Sequence, residues 1–243
     1  MKNGTAYGKK LKQAYRRFRG KGEPVALSHD GDPVDQLILA VLAQETTTAR
    51  ALRAMKRLSD DMVDLNDLRV STAAEVSDSI SRHVPRSVHR AKLLLKVLNG
   101  VYHREYAVSL QSLRSKGIRE VKQYLESLEG TTPYVCGSVI LWSLGGHAIP
   151  VSDPMLQWLR DNDLVHPDAE PGEVQSFLER HVSAADARTF CLDLEAQSVS
   201  REPLVSAGKR TTASRKTSAK RKSSARKAVR RTDKTTKKTK RKT

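Results

Sequence analysis

The chain has 243 residues, 44 Lys+Arg against 27 Asp+Glu, a formal net charge of +17, and only 5% aromatic residues. No apolar run approaches the ~20 residues that span a bilayer, and no apolar segment with a small-residue cleavage site follows the basic N-terminus. Two cysteines, Cys136 and Cys191, are too few for a disulfide framework or a four-cysteine metal site, so no membrane partner is expected and a reducing cytoplasm is.

The charge is not spread evenly. Residues 208–243 hold 17 bases and one acid, Asp233, and so carry +16 of the +17. Residues 1–22 add eight bases and no acid, which leaves residues 23–207 at −7. This is an acidic body with two basic ends.

Taken in chain order, the body reads as helix throughout. Tyr7, Leu11, Ala14, Tyr15 and Phe18 share one face. Val34, Leu37, Ile38, Val41 and Leu42 follow helical spacing after a Gly-Asp-Pro start at 31–33. Further helices are predicted over 48–58, 72–81, 86–102, 117–127, 133–144, 153–162, 172–182 and 184–197. No segment alternates with period two for long enough to make a strand, and the connections are short, as in a compact helical bundle. Residues 208–243 have one aliphatic side chain larger than Ala, Val229, and no aromatic. They cannot bury enough to offset the entropy of ordering, so a disordered arm for a polyanion is predicted, DNA or RNA first. Lys209, Arg210, Arg215 and Lys216 head its phosphate-binding candidates.

Three motifs carry chemistry. Leu128-Glu-Gly-Thr-Thr-Pro-Tyr-Val-Cys136 places a Gly-containing turn between two helical patterns, a helix-hairpin-helix signal. Its turn amides and the next helix start can face a DNA phosphate, with Thr132 and Pro133 as N-cap and first helical residue. Leu37-Ile-Leu-Ala-Val-Leu-Ala-Gln-Glu-Thr-Thr47 precedes it, and Gly145-Gly-His-Ala-Ile-Pro-Val-Ser-Asp153 follows it. Order and spacing together resemble the endonuclease III superfamily of helix-hairpin-helix (HhH-GPD) DNA glycosylases, over roughly residues 7–200. Arg90-Ala91 also fits the start of that family's central helix.

The resemblance implies an all-α fold of two lobes with a cleft between them. Residues 25–146 would form the helical barrel lobe, while 1–24 and 147–207 would form the second, followed by the basic tail of 208–243. It implies a base-excision glycosylase acting on double-stranded DNA as a nucleoid-associated cytoplasmic monomer. Gln44 would wedge into the DNA stack while a base is flipped out, and Gly130, Thr131 and Thr132 would meet the backbone. Asp153 would stabilise the cationic sugar, in a pocket lying between it and Tyr134; Asp153-Pro154 also reads as an N-cap and first helical residue, and an ungapped alignment puts Ser152 in the aspartate position instead.

Three departures stand out. Tyr134 occupies the place of the Schiff-base lysine, and a phenol forms no imine, which points to a monofunctional enzyme. Pro133 removes one N–H donor from the hairpin. After the aspartate only Cys191 remains, so no iron–sulfur cluster is expected, and the seven histidines show no metal-ligand spacing; no cofactor and no metal site are predicted. Two rivals stay open: a catalytically inactive DNA-binding protein on a glycosylase scaffold, and a nucleoid or RNA-binding protein driven by its tail.

Overall fold

The computed structural model describes residues 4–22 and 31–200; the basic tail, with Lys209, Arg210, Arg215 and Lys216, lies outside the described residues. Among them are eleven α-helices and one 3-10 turn, and no strand. The helices are α1 (Gly4–Phe18), α2 (Pro33–Ala43), α3 (Thr48–Asp61), α4 (Leu65–Val70), α5 (Ala73–Ile80) and α6 (Ser87–Glu105). After the 3-10 turn (Gln111–Ser115) come α7 (Ile118–Glu126), α8 (Pro133–Ser143), α9 (Asp153–Asp161), α10 (Pro171–His181) and α11 (Ala187–Ser200). None is long and apolar enough to cross a membrane.

Helices α2 and α8 form the centre. Both are apolar nearly all round, and both are buried along almost their whole length, as expected for helices enclosed on every side. Each starts from a side-chain cap followed by proline. Asp32 accepts from Val34 N–H at 3.0 Å, and Thr132 accepts from Val135 N–H at 3.3 Å. Around this pair, α3, α6 and α7 pack on one side, with α4 and α5 against α6. On the other side α10 and α11 touch α8, α9 packs on α11, and α1 closes over α10 and α11.

An aromatic cluster ties the second group together. Phe18 of α1 meets Trp158 of α9 edge-on at 5.5 Å, and Tyr15 meets Phe190 of α11 at 5.0 Å. Such pairs add about 0.5–1.5 kcal/mol beyond area burial. The end of α1 is tied by Asp193, almost fully buried, whose carboxylate accepts from Gly20 and Gly22 N–H at 3.0 and 2.7 Å. Gly22 has no room for a side chain, since a Cβ there would fall 2.5 Å from the Leu192 carbonyl carbon.

Candidate functional site

The hairpin is built by α7, the turn over 127–132 and α8. Gly130 sits at φ +97, with Leu93 O only 3.3 Å from where a Cβ would be, so the turn needs glycine here. Thr131 turns its hydroxyl inward, donating to Leu125 O and Leu128 O at 2.8 Å each. At the start of α8, Pro133 has no N–H and the Val135 N–H is taken by Thr132. The hairpin therefore has fewer amides to offer a phosphate than a glycine-rich one.

Gln44, at the end of α2, is the point where distant segments meet. Its side-chain Oε1 accepts from Thr132 Oγ1 at 3.1 Å, across 88 residues of sequence, and from Arg90 Nη1 at 3.2 Å. Its main-chain oxygen accepts from Asp153 N–H at 2.9 Å. Gln44, Thr132 and Asp153, all singled out from sequence, are thus brought together. The Gln44 side chain is engaged inside the protein.

The sequence alone marks no role for Glu45 and only a register match for Arg90. Arg90 is 2% exposed, and its guanidinium pairs with the Glu45 carboxylate, which also holds Arg86 Nε at 2.7 Å. Burial pulls Arg90 below the usual guanidinium range, with Glu45 and Asp153 pulling it back. Its Nε is buried without a partner among the described residues. The group of Arg86, Arg90, Glu45 and Asp153 balances two positive against two negative charges.

Asp153 is the first residue inside α9, and Ser152 is the N-cap. This corrects the expectation that Asp153 itself caps the helix. Ser152 is buried and makes no side-chain cap bond, while Asp153 remains exposed on one side. The carboxyl of Asp153 is raised above the usual carboxylate range, first by partial burial and then by the Glu45 charge; Arg90, Arg86 and the Gln44 side chain oppose this.

Tyr134, the second residue of α8, lines a cavity of about 30 Å³ together with Gln36, Thr48, Trp142, Cys191 and Glu195. That is room for a water or two. Asp153 is not among the residues that line this cavity. Burial, and then the Glu195 charge, raise the Tyr134 phenol above its ordinary range, so it stays protonated at neutral pH. Glu195 of α11 caps α3 from outside: its two oxygens accept from Thr48 N–H at 2.5 Å and Thr48 Oγ1 at 2.8 Å. Nothing local in the sequence marks Glu195, because its partner lies 147 residues away. Cys136 and Cys191 are both buried free thiols, and no cluster of three metal-ligating side chains occurs among the described residues.

No family model matches the sequence, and no curated protein does. Solved structures do match in fold. One is the Clostridium acetobutylicum 8-oxoguanine glycosylase/lyase in complex with dsDNA (TM-score 0.60, 15% identity, 82% of this chain and 71% of that one). Another is a non-covalent endonuclease III–DNA complex (TM-score 0.59, 18% identity, 81% and 86%). A third is the H. pylori 3-methyladenine DNA glycosylase bound to 1,N6-ethenoadenine (TM-score 0.59, 15% identity, 81% and 98%). The chain has the all-helical fold of the endonuclease III-like helix-hairpin-helix DNA glycosylases.

Proposed function

We propose that the chain is a monofunctional base-excision DNA glycosylase that hydrolyses the N-glycosidic bond of a flipped damaged or mismatched base. The observation that carries this is the junction at Gln44, which joins the hairpin through Thr132 and the aspartate segment through Asp153. On a glycosylase fold this gathers the hairpin turn and a carboxylate around one residue. In the reaction, water oxygen bonds to the sugar C1′ as the C1′–N bond breaks, and the base leaves with a proton. The ionised Asp153 opposes the positive charge that develops on the sugar. To wedge into the stack, Gln44 gives up its bonds to Thr132 and Arg90. Gly130, Thr131 and Thr132 meet the backbone, and Tyr134 lines the base pocket. Lys209, Arg210, Arg215 and Lys216 neutralise phosphates beyond the body. In this reading the protein works as a monomer on chromosomal DNA in the cytoplasm and needs no cofactor.

The test is incubation of purified protein with duplexes carrying uracil, a thymine–guanine mismatch, alkylated bases or oxidised bases. Expected is an abasic strand that breaks only on later alkali treatment, with no borohydride-trapped adduct, since Tyr134 offers no amine. A second reading is favoured by the small cavity at Tyr134: a non-catalytic DNA-binding protein on the same scaffold. Retained duplex binding with no base released from any of these substrates favours that reading instead.

A further inference from the structure

We infer that the cleft between α1 and α10 is a second DNA-phosphate site, separate from the hairpin and the tail; it rests on the reading above only for the identity of its anion. Four cations of α1 and its end fall into two kinds. Lys10 is held by Asp163, and Arg19 by Asp186 at 3.4 Å. Lys9 and Lys12, three residues apart on one face, have no acidic partner among the described residues and look into a cleft of about 430 Å³. The opposite wall is Phe177, Arg180 and His181 of α10, and no acid lines any part of it. Uncompensated positive charge in a concave wall focuses the field and draws anions.

The floor of this cleft is rigid. The His181 ring lies 4.4 Å from the Phe177 ring, with Nδ1 2.8 Å from Phe177 O. Gly8 of α1 sits directly on that ring, where a Cβ would fall 2.3 Å from Nε2. Glycine at this position is what lets the two helices close. Arg180 Nε donates to Ser176 O at 3.1 Å, which fixes the stem of that side chain. The cations are thus presented from two packed helices.

DNA fits this placement. The first turn of α10 lies beside the hairpin, with Gly172 against Pro133. Arg180 is eight residues further on, about 12 Å along the axis at 1.5 Å per residue. At 3.4 Å per base step, that is roughly three to four steps of duplex. In this proposal a duplex gripped at the hairpin runs along α10 and presents those phosphates to the cleft.

The experiment compares the full-length chain with its Lys9→Gln/Lys12→Gln/Arg180→Gln variant, binding an undamaged duplex over a range of salt. With three phosphate-facing cations removed, at about 0.9 per phosphate, the log–log salt slope should become shallower by roughly two to three units, with an unchanged thermal midpoint. In parallel, inorganic pyrophosphate is titrated into the wild-type chain, and amide signals of Gly8, Lys9, Lys12, Arg180 and His181 should shift. An unchanged slope, or no shift at these residues, overturns the cleft. Pyrophosphate shifts in a protein that binds no duplex overturn DNA as the anion. A shallower slope in a protein that releases no base leaves the cleft standing and removes the glycosylase reading alone.

Discussion

Asp153 and Gln44 are joined main chain to main chain, the Asp153 N–H donating to the Gln44 carbonyl oxygen at 2.9 Å. The bond uses no side-chain atom of either residue, so each side chain can be changed without breaking it. Asp153→Asn should therefore keep DNA affinity while base release falls by a factor of about 10² to 10³, the usual loss when a charge-stabilising group is removed from a transition state. Single-turnover base release and anisotropy binding on the same duplex check this.

The same substitution has a pH signature. The folded protein raises the Asp153 carboxyl above its unfolded value, so the ionised form opposes folding above that raised value. The opposition fades as pH falls through it. Asp153→Asn should raise the thermal midpoint at neutral pH, by less than about 4 °C, because the residue is partly exposed and the effect is screened. The gap should close as pH is lowered into the carboxylate range. A gap that widens at acid pH contradicts the assignment.

Arg90 and Glu45 should be unequal to the sum of their deletions. Removing one partner of a buried ion pair leaves the other uncompensated, at about 3–5 kcal/mol, whereas replacing both with apolar residues is often neutral. Arg90→Met should destabilise strongly, and Arg90→Met/Glu45→Met less so, in urea unfolding. Arg86, still able to reach Glu45, should moderate the Arg90→Met loss without cancelling it.

Gly130→Ala should weaken the fold by about 1–3 kcal/mol, the range for a non-glycine residue held in a sparsely populated backbone region. A new Cβ would also press on Val97 Cγ2 at 3.2 Å. The urea midpoint reports the loss. Gly145→Ala is the control: it shares the positive φ, but the added Cβ meets nothing within 4 Å, so it should lose less.

The two thiols should be inert in the native protein. Burial pushes Cys136 up to about 11 and raises Cys191 as well, and the thiolate is the reactive form. A chromogenic thiol reagent at pH 8 should count near zero thiols in native protein and two after unfolding. Rapid labelling of either cysteine in buffer contradicts the packing of α8 or α11.

How much of the fold is legible in the sequence follows from where the information lies. Asp32-Pro33 and Thr132-Pro133 mark helix starts because cap and proline act within one turn, and both helices begin there. The spacing of Val34, Leu37, Ile38, Val41 and Leu42 predicts the helix but only one buried face, whereas the whole run Leu37–Ala43 is buried. By contrast α4 has only Leu65 and Leu68 packed on the core, too few to make a periodic pattern, and the sequence gives no sign of it. The start of α11 falls at Ala187 and not 184 because residues 183–187 close tighter i→i+3 turns, Asp186 N–H donating to Ser183 O at 3.1 Å and Ala187 N–H to Ala184 O at 3.4 Å. At the site, order and spacing pick out Gln44, Thr132 and Asp153. They do not pick out Glu45 and Glu195, because a charged residue in a polar stretch reads as solvated surface until its partner, 45 or 147 residues away, is in place.

The bonds from Glu195 to Thr48 have a consequence for motion. Thr48 opens α3, Glu195 belongs to α11, and both border the cavity at Tyr134. Separating those walls to admit anything larger than water must break both bonds and strip α3 of an outside acceptor for its first N–H. Widening of the cavity and fraying of α3 are therefore one event. The Thr48 amide becomes a built-in gauge: its rate of hydrogen exchange measures how often the cavity opens, and a ligand that props the walls apart should accelerate exchange at that single position.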